Sequence, residues 1–157
     1  MPGARWTGGT LTLDKGVVTN DSIADSAAVD ADKMQHCYKP GTGFGFVIGG
    51  TPTTREEIVF VASQAGTVRG FGCLLNDTGT STSITFDLKK NGVSMLSAVV
   101  TITNATADRA VQAGAISTTT FAADDVLSIA MAVSSSTGAQ GPFAFIELEE
   151  NQAPSFP

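Results

Sequence analysis

The chemically richest stretch of the chain is KMQHCY, residues 33–38, which holds the only histidine, one of two cysteines and the only tyrosine. A cysteine nucleophile with a histidine base would be the usual start of thiol catalysis. Adjacent residues, however, point about 100° apart on a helix and to opposite faces on a strand. His36 and Cys37 therefore cannot pair with each other, and the sequence has no second histidine. We interpret both as structural or solvent-exposed, and Tyr38 as a packing or interface residue.

Carboxylate pairs are the second chemistry to consider, because glycoside hydrolases use two such groups. The acidic candidates lie near the ends of strand-like runs, in surroundings with little charge. No aromatic platform for a sugar accompanies them, since the only tryptophan, Trp6, is close to the N-terminus. The sequence therefore favours solvated strand ends over a hydrolase site for Glu56, Glu57, Glu147, Glu149 and Glu150.

Metal and phosphate sites have little support in the sequence. The aspartates between residues 14 and 32 lack the ligand spacing of an EF-hand loop. A loose calcium site in the loops at Asn76–Asp77 or Asp124–Asp125 stays open as an alternative. The stretch GTGFGF (41–46) matches neither glycine-rich phosphate-binding pattern. We expect no metal, no cofactor and no catalytic residue, and therefore no enzyme.

The cysteines, Cys37 and Cys73, show no CxxC spacing that would indicate a zinc site. Cys73 lies inside the apolar run GFGCLLN. An unpaired cysteine behaves as a small hydrophobic residue. We therefore predict that Cys73 is a buried free thiol, although a disulfide between the two cysteines remains an alternative.

The charge of the chain argues against two classes of partner. The net charge is −6, and the nine basic residues are spread thinly without a basic cluster. Nucleic acids and anionic membranes are therefore disfavoured. No apolar run approaches the roughly 20 residues that span a bilayer, and no signal-peptide pattern opens the sequence. We expect synthesis in a cytoplasm without export by a cleaved signal.

Short apolar runs separated by turn residues follow one another after residue 50, which is the pattern of an all-β domain. Several of them alternate with period 2, as strands of an antiparallel sheet with one buried face do. The pattern predicts an antiparallel β-sandwich of the jelly-roll type over residues 51–157. The runs are REEIVFVA (55–62), TVRGFGCLLN (67–76), SITFDLKK (83–90), VSMLSAVVTI (93–102), RAVQAGAIST (109–118), DVLSIAMAVSS (125–135) and PFAFIELEE (142–150).

The sequence KKNGVS (89–94) predicts a hairpin, because Asn-Gly between alternating runs is a strong turn signal. A two-residue turn would pair Lys90 with Val93, whereas a three-residue loop would pair Lys89 with Val93. The three-residue loop places the more apolar, even-numbered residues of the second strand opposite Phe86 and Ile84. We therefore favour the three-residue loop, with Gly92 at a bulge.

Residues 1–50 differ from the rest, since they hold little continuous apolar sequence and cannot bury themselves. We interpret them as an extended N-terminal arm. Residues 8–18 could form a short strand or an extended stretch. Ile23, Ala27, Ala31 and Met34 recur at helical spacing, which predicts one short helix over residues 20–36. The glycine-rich residues 41–50 are interpreted as a hinge between the arm and the domain. Such an arm is expected to dock on another surface.

Several segments together resemble structural proteins of tailed bacteriophages, most closely the capsid decoration (cement) and head-fibre proteins. The segments are IADSAAVDADKMQH in the arm, the DLKKNGVSML hairpin and the AADDVLSIAM strand. The resemblance covers about residues 21–38 and 55–150. It implies a homotrimeric jelly-roll protein on the outer surface of the virion capsid. Its partner would be the major capsid protein, whose neighbouring subunits it would bridge and stabilise.

The resemblance also implies where the partner would bind. The apolar and aromatic residues of the arm would anchor the protein on its partner, with packing against its own domain as the alternative. These residues are Trp6, Leu11, Leu13, Val17, Val18, Ile23, Val29, Met34 and Tyr38. A second function remains open, namely a tail-fibre or baseplate module that binds a host-surface glycan. The absence of Trp and Tyr after residue 38 argues against it.

Overall fold

The computed structural model of this protein shows three antiparallel sheets in its described residues, namely two five-stranded sheets and one two-stranded sheet. The structure describes residues 48–150 in full and, before them, the backbone of three short strands. Residues 48–150 contain no helix. The strands are β1 (Ala4–Thr7), β2 (Thr10–Leu13), β3 (Cys37–Tyr38), β4 (Arg55–Val61), β5 (Gly66–Asp77), β6 (Ser81–Lys90), β7 (Val93–Ser94), β8 (Val100–Thr103), β9 (Gln112–Ala113), β10 (Thr120–Phe121), β11 (Val126–Thr137) and β12 (Gln140–Glu150).

The two larger sheets share one core. Sheet I has the order β10-β5-β12-β3, and β9 also pairs with β5. Sheet II has the order β4-β11-β6-β7, and β8 also pairs with β6. Their facing side chains are fully buried, as period-2 alternation predicts. Sheet I contributes Val68, Phe71, Cys73, Leu75, Ala144, Ile146 and Leu148; sheet II contributes Ile84, Phe86, Leu88, Ile102, Leu127, Ile129 and Met131. The all-β prediction is confirmed, and the arrangement is β-sandwich-like.

One side of this arrangement is closed by backbone contacts between the sheets. Leu96, between β7 and β8, forms an isolated bridge with Ile116, between β9 and β10. The N–H of Ser97 donates to the carbonyl of Ala115 at 2.9 Å. On the opposite side lie the outermost strands β3 of sheet I and β4 of sheet II.

The predicted three-residue loop of the Asn-Gly hairpin is wrong. Lys90 pairs with Val93, so the loop is the two-residue turn Asn91–Gly92. Both residues have positive φ, 50° and 80°, which is the conformation of a type I′ turn. The register then changes, because the chain leaves β6 after Ser94 and returns with Val100 opposite Phe86. Leu96 and Ile102 are therefore buried as expected, but Ala98 is exposed and the odd-numbered Met95 is fully buried.

Two strands at the N-terminus form a hairpin that the sequence analysis did not anticipate. Trp6 lies opposite Leu11 and Ala4 opposite Leu13, while Arg5 lies opposite Thr12. Strand β2 falls within residues 8–18, where a short strand or an extended stretch was expected. The predicted helix, residues 20–36, lies outside the described residues, but Cys37 and Tyr38 directly after it are in strand β3.

Candidate docking surfaces

The outer face of sheet II carries a depression with a volume of about 460 Å³. Its floor consists of small side chains such as Ala130, Ala132 and Thr85, and Val99 stands at its border. Cross-strand pairing brings Lys89 of β6 and Glu56 of β4 to opposite sides of β11. The two side chains meet over that strand, with Lys89 Nζ 2.8 Å from Glu56 Oε2.

Hydrogen bonds hold both charged groups of this pair ionised. Ser128, which is buried in the middle strand, donates its hydroxyl to Glu56 Oε1 at 2.6 Å. The bonds from Lys89 and then Ser128 lower the pKa of Glu56. The bond to Glu56 raises the pKa of Lys89. Both shifts therefore move the pKa values away from the neutral range in which a general acid or base usually titrates.

The other acidic candidates are also engaged with cations or lie on different sheets. The side chain of Glu57 pairs with Arg55 at 3.1 Å, and that of Glu149 pairs with Arg69. Glu56 is in sheet II, whereas Glu147 and Glu149 are in sheet I. Glu56, Glu57 and Glu149 therefore form local ion pairs, and the acidic candidates are divided between the two sheets.

The exposed apolar side chains of sheet II lie beside the same depression. Ile58 and Val61 of the outermost strand β4 are 68% and 58% exposed. Val99 is 48% exposed. Ala130 and Ala132 lie on the same face, and its Lys89 and Glu56 side chains form an ion pair. Such a face suits contact with another protein surface better than it suits a small ligand.

The outer face of sheet I carries a second apolar group. Phe143 lies opposite Leu74, and Phe145 lies opposite Gly72. The ring of Phe145 covers Gly72, where an added Cβ would come within 2.6 Å of it. Val111 also borders this glycine and is 53% exposed. Both phenylalanines are half-buried, and Phe145 packs across the glycine of the neighbouring strand.

The predicted arm residues are placed only in part. Trp6 and Leu11 are opposite each other in the hairpin, and Leu13 is opposite Ala4. Residues opposite each other in an antiparallel pair share a face, so these four residues belong to one face of the hairpin. Tyr38 pairs through its backbone with Leu148 of β12. Val17, Val18, Ile23, Val29 and Met34 lie outside the described residues. The assignment of all nine to a partner stays a prediction.

In the two loops considered for calcium, the carboxylates of Asp77 and Asp125 accept hydrogen bonds from neighbouring residues. Asp125 accepts hydrogen bonds from the N–H of Ala122 and the side chain of Asn91, and these bonds lower its pKa. Asp77 accepts from the N–H of Gly79 at 2.8 Å. Within the described part of the chain, no three His, Cys, Asp or Glu side chains cluster closely enough to hold a metal ion.

Cys73 is a free, buried thiol, as predicted. Burial raises the pKa of this thiol to about 12, so it is protonated at neutral pH and a poor nucleophile. As a consequence, Cys73 is not joined to Cys37. Among the described residues, no helix has the length and apolar character needed to cross a bilayer.

The sequence analysis did not identify the ion pair between Lys89 and Glu56 on the outer face of sheet II. Alternation along β6 places Lys89 outward, and a charged residue at such a position is usually solvated. Its contact with Glu56, 33 residues away, depends on both strands flanking β11. The contact can be predicted only when the strand order of the sheet is known, and the strand order does not follow from a single sequence.

Comparison with known proteins adds no family to these observations. No protein-family model matches the chain, and no curated protein matches it.

Proposed function

We propose that this protein is a non-enzymatic virion structural protein of a tailed bacteriophage. It binds the outer surface of the assembled capsid and stabilises it by bridging neighbouring major capsid subunits. The observation that carries the proposal is the N-terminal hairpin, which forms a two-stranded sheet of its own, beside a domain that has its own core. A two-stranded hairpin is at best marginally stable in water. It therefore needs a partner surface.

The register of the hairpin supports an apolar contact with that partner. Ala4, Trp6, Leu11 and Leu13 belong to one face, and the four residues between them in the register belong to the other. A tryptophan at the centre of an interface is a frequent source of binding energy. The exposed Ile58 and Val61 on β4 offer a second apolar contact within the domain.

The proposal extends to three finer properties. The domain is a jelly roll, the protein is a homotrimer, and it joins the virion after synthesis in the host cytoplasm. Binding to a lattice of identical subunits multiplies weak contacts through effective concentration. A protein that binds only the assembled shell stabilises it by mass action. The net charge of −6 disfavours contact with packaged DNA and is compatible with a position on the outside of the shell.

Binding to capsid shells tests the proposal directly. The full chain is incubated with empty expanded shells of the virus that encodes it and, separately, with unassembled major capsid subunits. Co-sedimentation is then measured against protein concentration. Saturable binding to the expanded shells alone is expected. Absence of binding to shells refutes the proposal, and binding to a host-surface glycan instead would support the tail-fibre or baseplate function.

A pair of double variants tests the role of the hairpin. Trp6→Ala with Leu11→Ala removes two opposed residues of the apolar face, and Arg5→Ala with Thr12→Ala removes the neighbouring pair on the other face. We expect the first to weaken shell binding at least about tenfold and the second to change it less than about threefold. Equal effects would contradict docking through the apolar face.

A further inference from the structure

Asn91 and Gly92 form the turn between β6 and β7, and both residues are exposed. An asparagine followed by glycine is prone to intramolecular deamidation, because glycine has no side chain to hinder the approach of its own backbone nitrogen to the asparagine Cγ. A Cβ added to Gly92 would meet no described neighbour within 4 Å. The space around the reacting nitrogen is therefore open, and the chemistry of this turn depends on what holds the Asn91 side chain.

The reaction at such a pair needs only water as a co-reactant. The backbone nitrogen of Gly92 attacks Cγ of Asn91, and the new C–N bond closes a cyclic imide. The Cγ–Nδ2 bond breaks, and Nδ2 leaves as ammonia with the proton that the Gly92 nitrogen loses. Water then opens the imide at either of its carbonyls, which gives aspartate or isoaspartate. A neutral amide, which donates and accepts hydrogen bonds, thereby becomes a carboxylate that only accepts them.

Two hydrogen bonds hold the Asn91 side chain to the beginning of β11, and we call this contact the Asn91 clamp. Nδ2 of Asn91 donates to Asp125 Oδ1 at 2.6 Å, and Oδ1 of Asn91 accepts from the N–H of Val126 at 2.9 Å. The N–H of Asn91 also donates to the carbonyl of Val126 at 2.8 Å. An ionised carboxylate only accepts and a backbone N–H only donates, so the two partners fix the orientation of the amide.

The Asn91 clamp opposes deamidation for two reasons. The bond from Nδ2 to Asp125 must break before ammonia can leave. Attack also places negative charge on the Asn91 oxygen and takes a proton from Gly92, and a carboxylate beside the amide disfavours both changes by repulsion. That carboxylate is itself fixed, because Asp125 Oδ2 accepts from the N–H of Ala122 at 2.8 Å. The bonds from Ala122 and then Asn91 lower the pKa of Asp125, which is therefore charged at neutral pH.

We propose that Asn91 is a deamidation site whose reaction Asp125 suppresses, and that deamidation opens the contact between the β6–β7 turn and β11. The product carboxylate places an oxygen where Nδ2 of Asn91 lies, 2.6 Å from Asp125 Oδ1. Two carboxylates at this distance cannot both stay ionised, so they separate or share a proton. Isoaspartate in addition lengthens the backbone of the two-residue turn. The inference does not depend on binding to a capsid.

Deamidation rates of the full chain at pH 8 test the role of Asp125, with peptide mapping by mass spectrometry to identify aspartate and isoaspartate at position 91. Asp125→Asn removes the charge but keeps an oxygen for the N–H of Ala122. We expect it to accelerate the reaction at least about tenfold, because hydrogen bonds to charged groups are the stronger ones. Asp124→Asn is the matched control, since asparagine tolerates the φ of +67° there, and the rate should stay within about twofold of the wild type. An unchanged rate in Asp125→Asn would overturn the proposal.

Global unfolding also releases Asn91, so a destabilised variant with an intact clamp is needed for comparison. Ile84→Val removes one methyl group from a fully buried side chain and leaves the clamp residues unchanged. We expect its rate to stay within about twofold of the wild type, and a rate as fast as that of Asp125→Asn would overturn the proposal. In urea-unfolded chains, the wild type and Asp125→Asn should react equally fast. A difference that persisted there would show that the folded contact is not the cause.

Asn91→Asp tests the consequence of the reaction, because it supplies the product side chain directly. The charged groups beside it are Asp125, the adjacent Asp124 and Lys90, whose Nζ lies 3.8 Å from Asp125 Oδ2. We expect the urea midpoint to decrease relative to the wild type as the pH rises from 4 to 7, because the proton that the two carboxylates share is then lost. Asn91→Asp combined with Asp125→Asn restores one donor and one acceptor, and should abolish this trend. A difference from the wild type that does not change with pH would overturn the opening of the contact.

Discussion

Replacing Gly141 by alanine should destabilise the domain more than replacing a glycine of similar conformation three residues earlier. Gly141 has a φ of +60° and Gly138 a φ of +76°. An L-residue in this left-handed region costs about 1–2 kcal/mol. Both substitutions therefore carry that cost. The surroundings differ, since a Cβ at Gly138 meets nothing closer than 3.4 Å, whereas one at Gly141 meets the carbonyl of Ile48 at 2.4 Å and the Cβ of Asn76 at 2.7 Å.

The difference between the two variants can be worked out from this contact. The backbone of Ile48 must move to admit the methyl group, and the hydrogen bond from Gly141 to Gly50 is then lost. A hydrogen bond of this kind contributes about 0.5–1.5 kcal/mol. We therefore expect Gly141→Ala to cost about 2–3 kcal/mol and Gly138→Ala about 1–2 kcal/mol. The gap between them should be about 1 kcal/mol.

Urea denaturation followed by far-ultraviolet circular dichroism is the appropriate assay. The only tryptophan lies in the N-terminal hairpin, so its fluorescence would not report on the domain. The free energy of unfolding is obtained by linear extrapolation for the wild type and both variants. Equal destabilisation by the two substitutions would refute the contact between residues 48–50 and Gly141.

Three further predictions concern the core and the titrating groups. Phe86→Ala should lower the free energy of unfolding by about 3–5 kcal/mol in the same urea assay, because this side chain is fully buried. Val93→Ala is the control, and because Val93 is 71% exposed, the substitution should change the free energy of unfolding by less than about 0.5 kcal/mol. In a Cys37→Ser variant, the Cys73 thiol should react with a disulfide reagent at pH 8 only after urea unfolding, and rapid reaction in the native state would contradict its burial. The pKa of Glu56 is lower in the folded than in the unfolded state, so its contribution to stability is complete above the unfolded-state pKa and is lost as the pH falls through the folded-state pKa. The urea midpoint of the wild type should therefore decrease below about pH 4. Glu56→Gln should make this decrease smaller.

The inward and outward faces of the long strands could be predicted from the sequence because they depend on local alternation alone. Ile84, Phe86 and Leu88 are fully buried, as their spacing in β6 indicates. The same reasoning identified the buried face of β11 from Leu127 to Met131. Each strand reaches the core with one face, and this holds whichever strands become its neighbours.

The register of the Asn-Gly hairpin could not be predicted, because it depends on contacts far away in the sequence. We assumed one register along the whole second strand. The chain instead leaves β6 after Ser94, and Leu96 bridges to Ile116 before Val100 resumes pairing. That bridge joins the edges of the two sheets, and no property of the hairpin sequence indicates it.

The packing of the glycine-rich residues before the domain also could not be predicted from the sequence. Their composition indicates a hinge, since glycine allows the widest range of backbone conformations. A glycine is also the residue that lets two backbones approach closely, and Gly141 does so with Ile48. Without these close neighbours, a methyl group at Gly141 would cost no more than its local backbone strain. The comparison of Gly141→Ala with Gly138→Ala therefore tests the close packing around Gly141, which the glycine composition alone does not indicate.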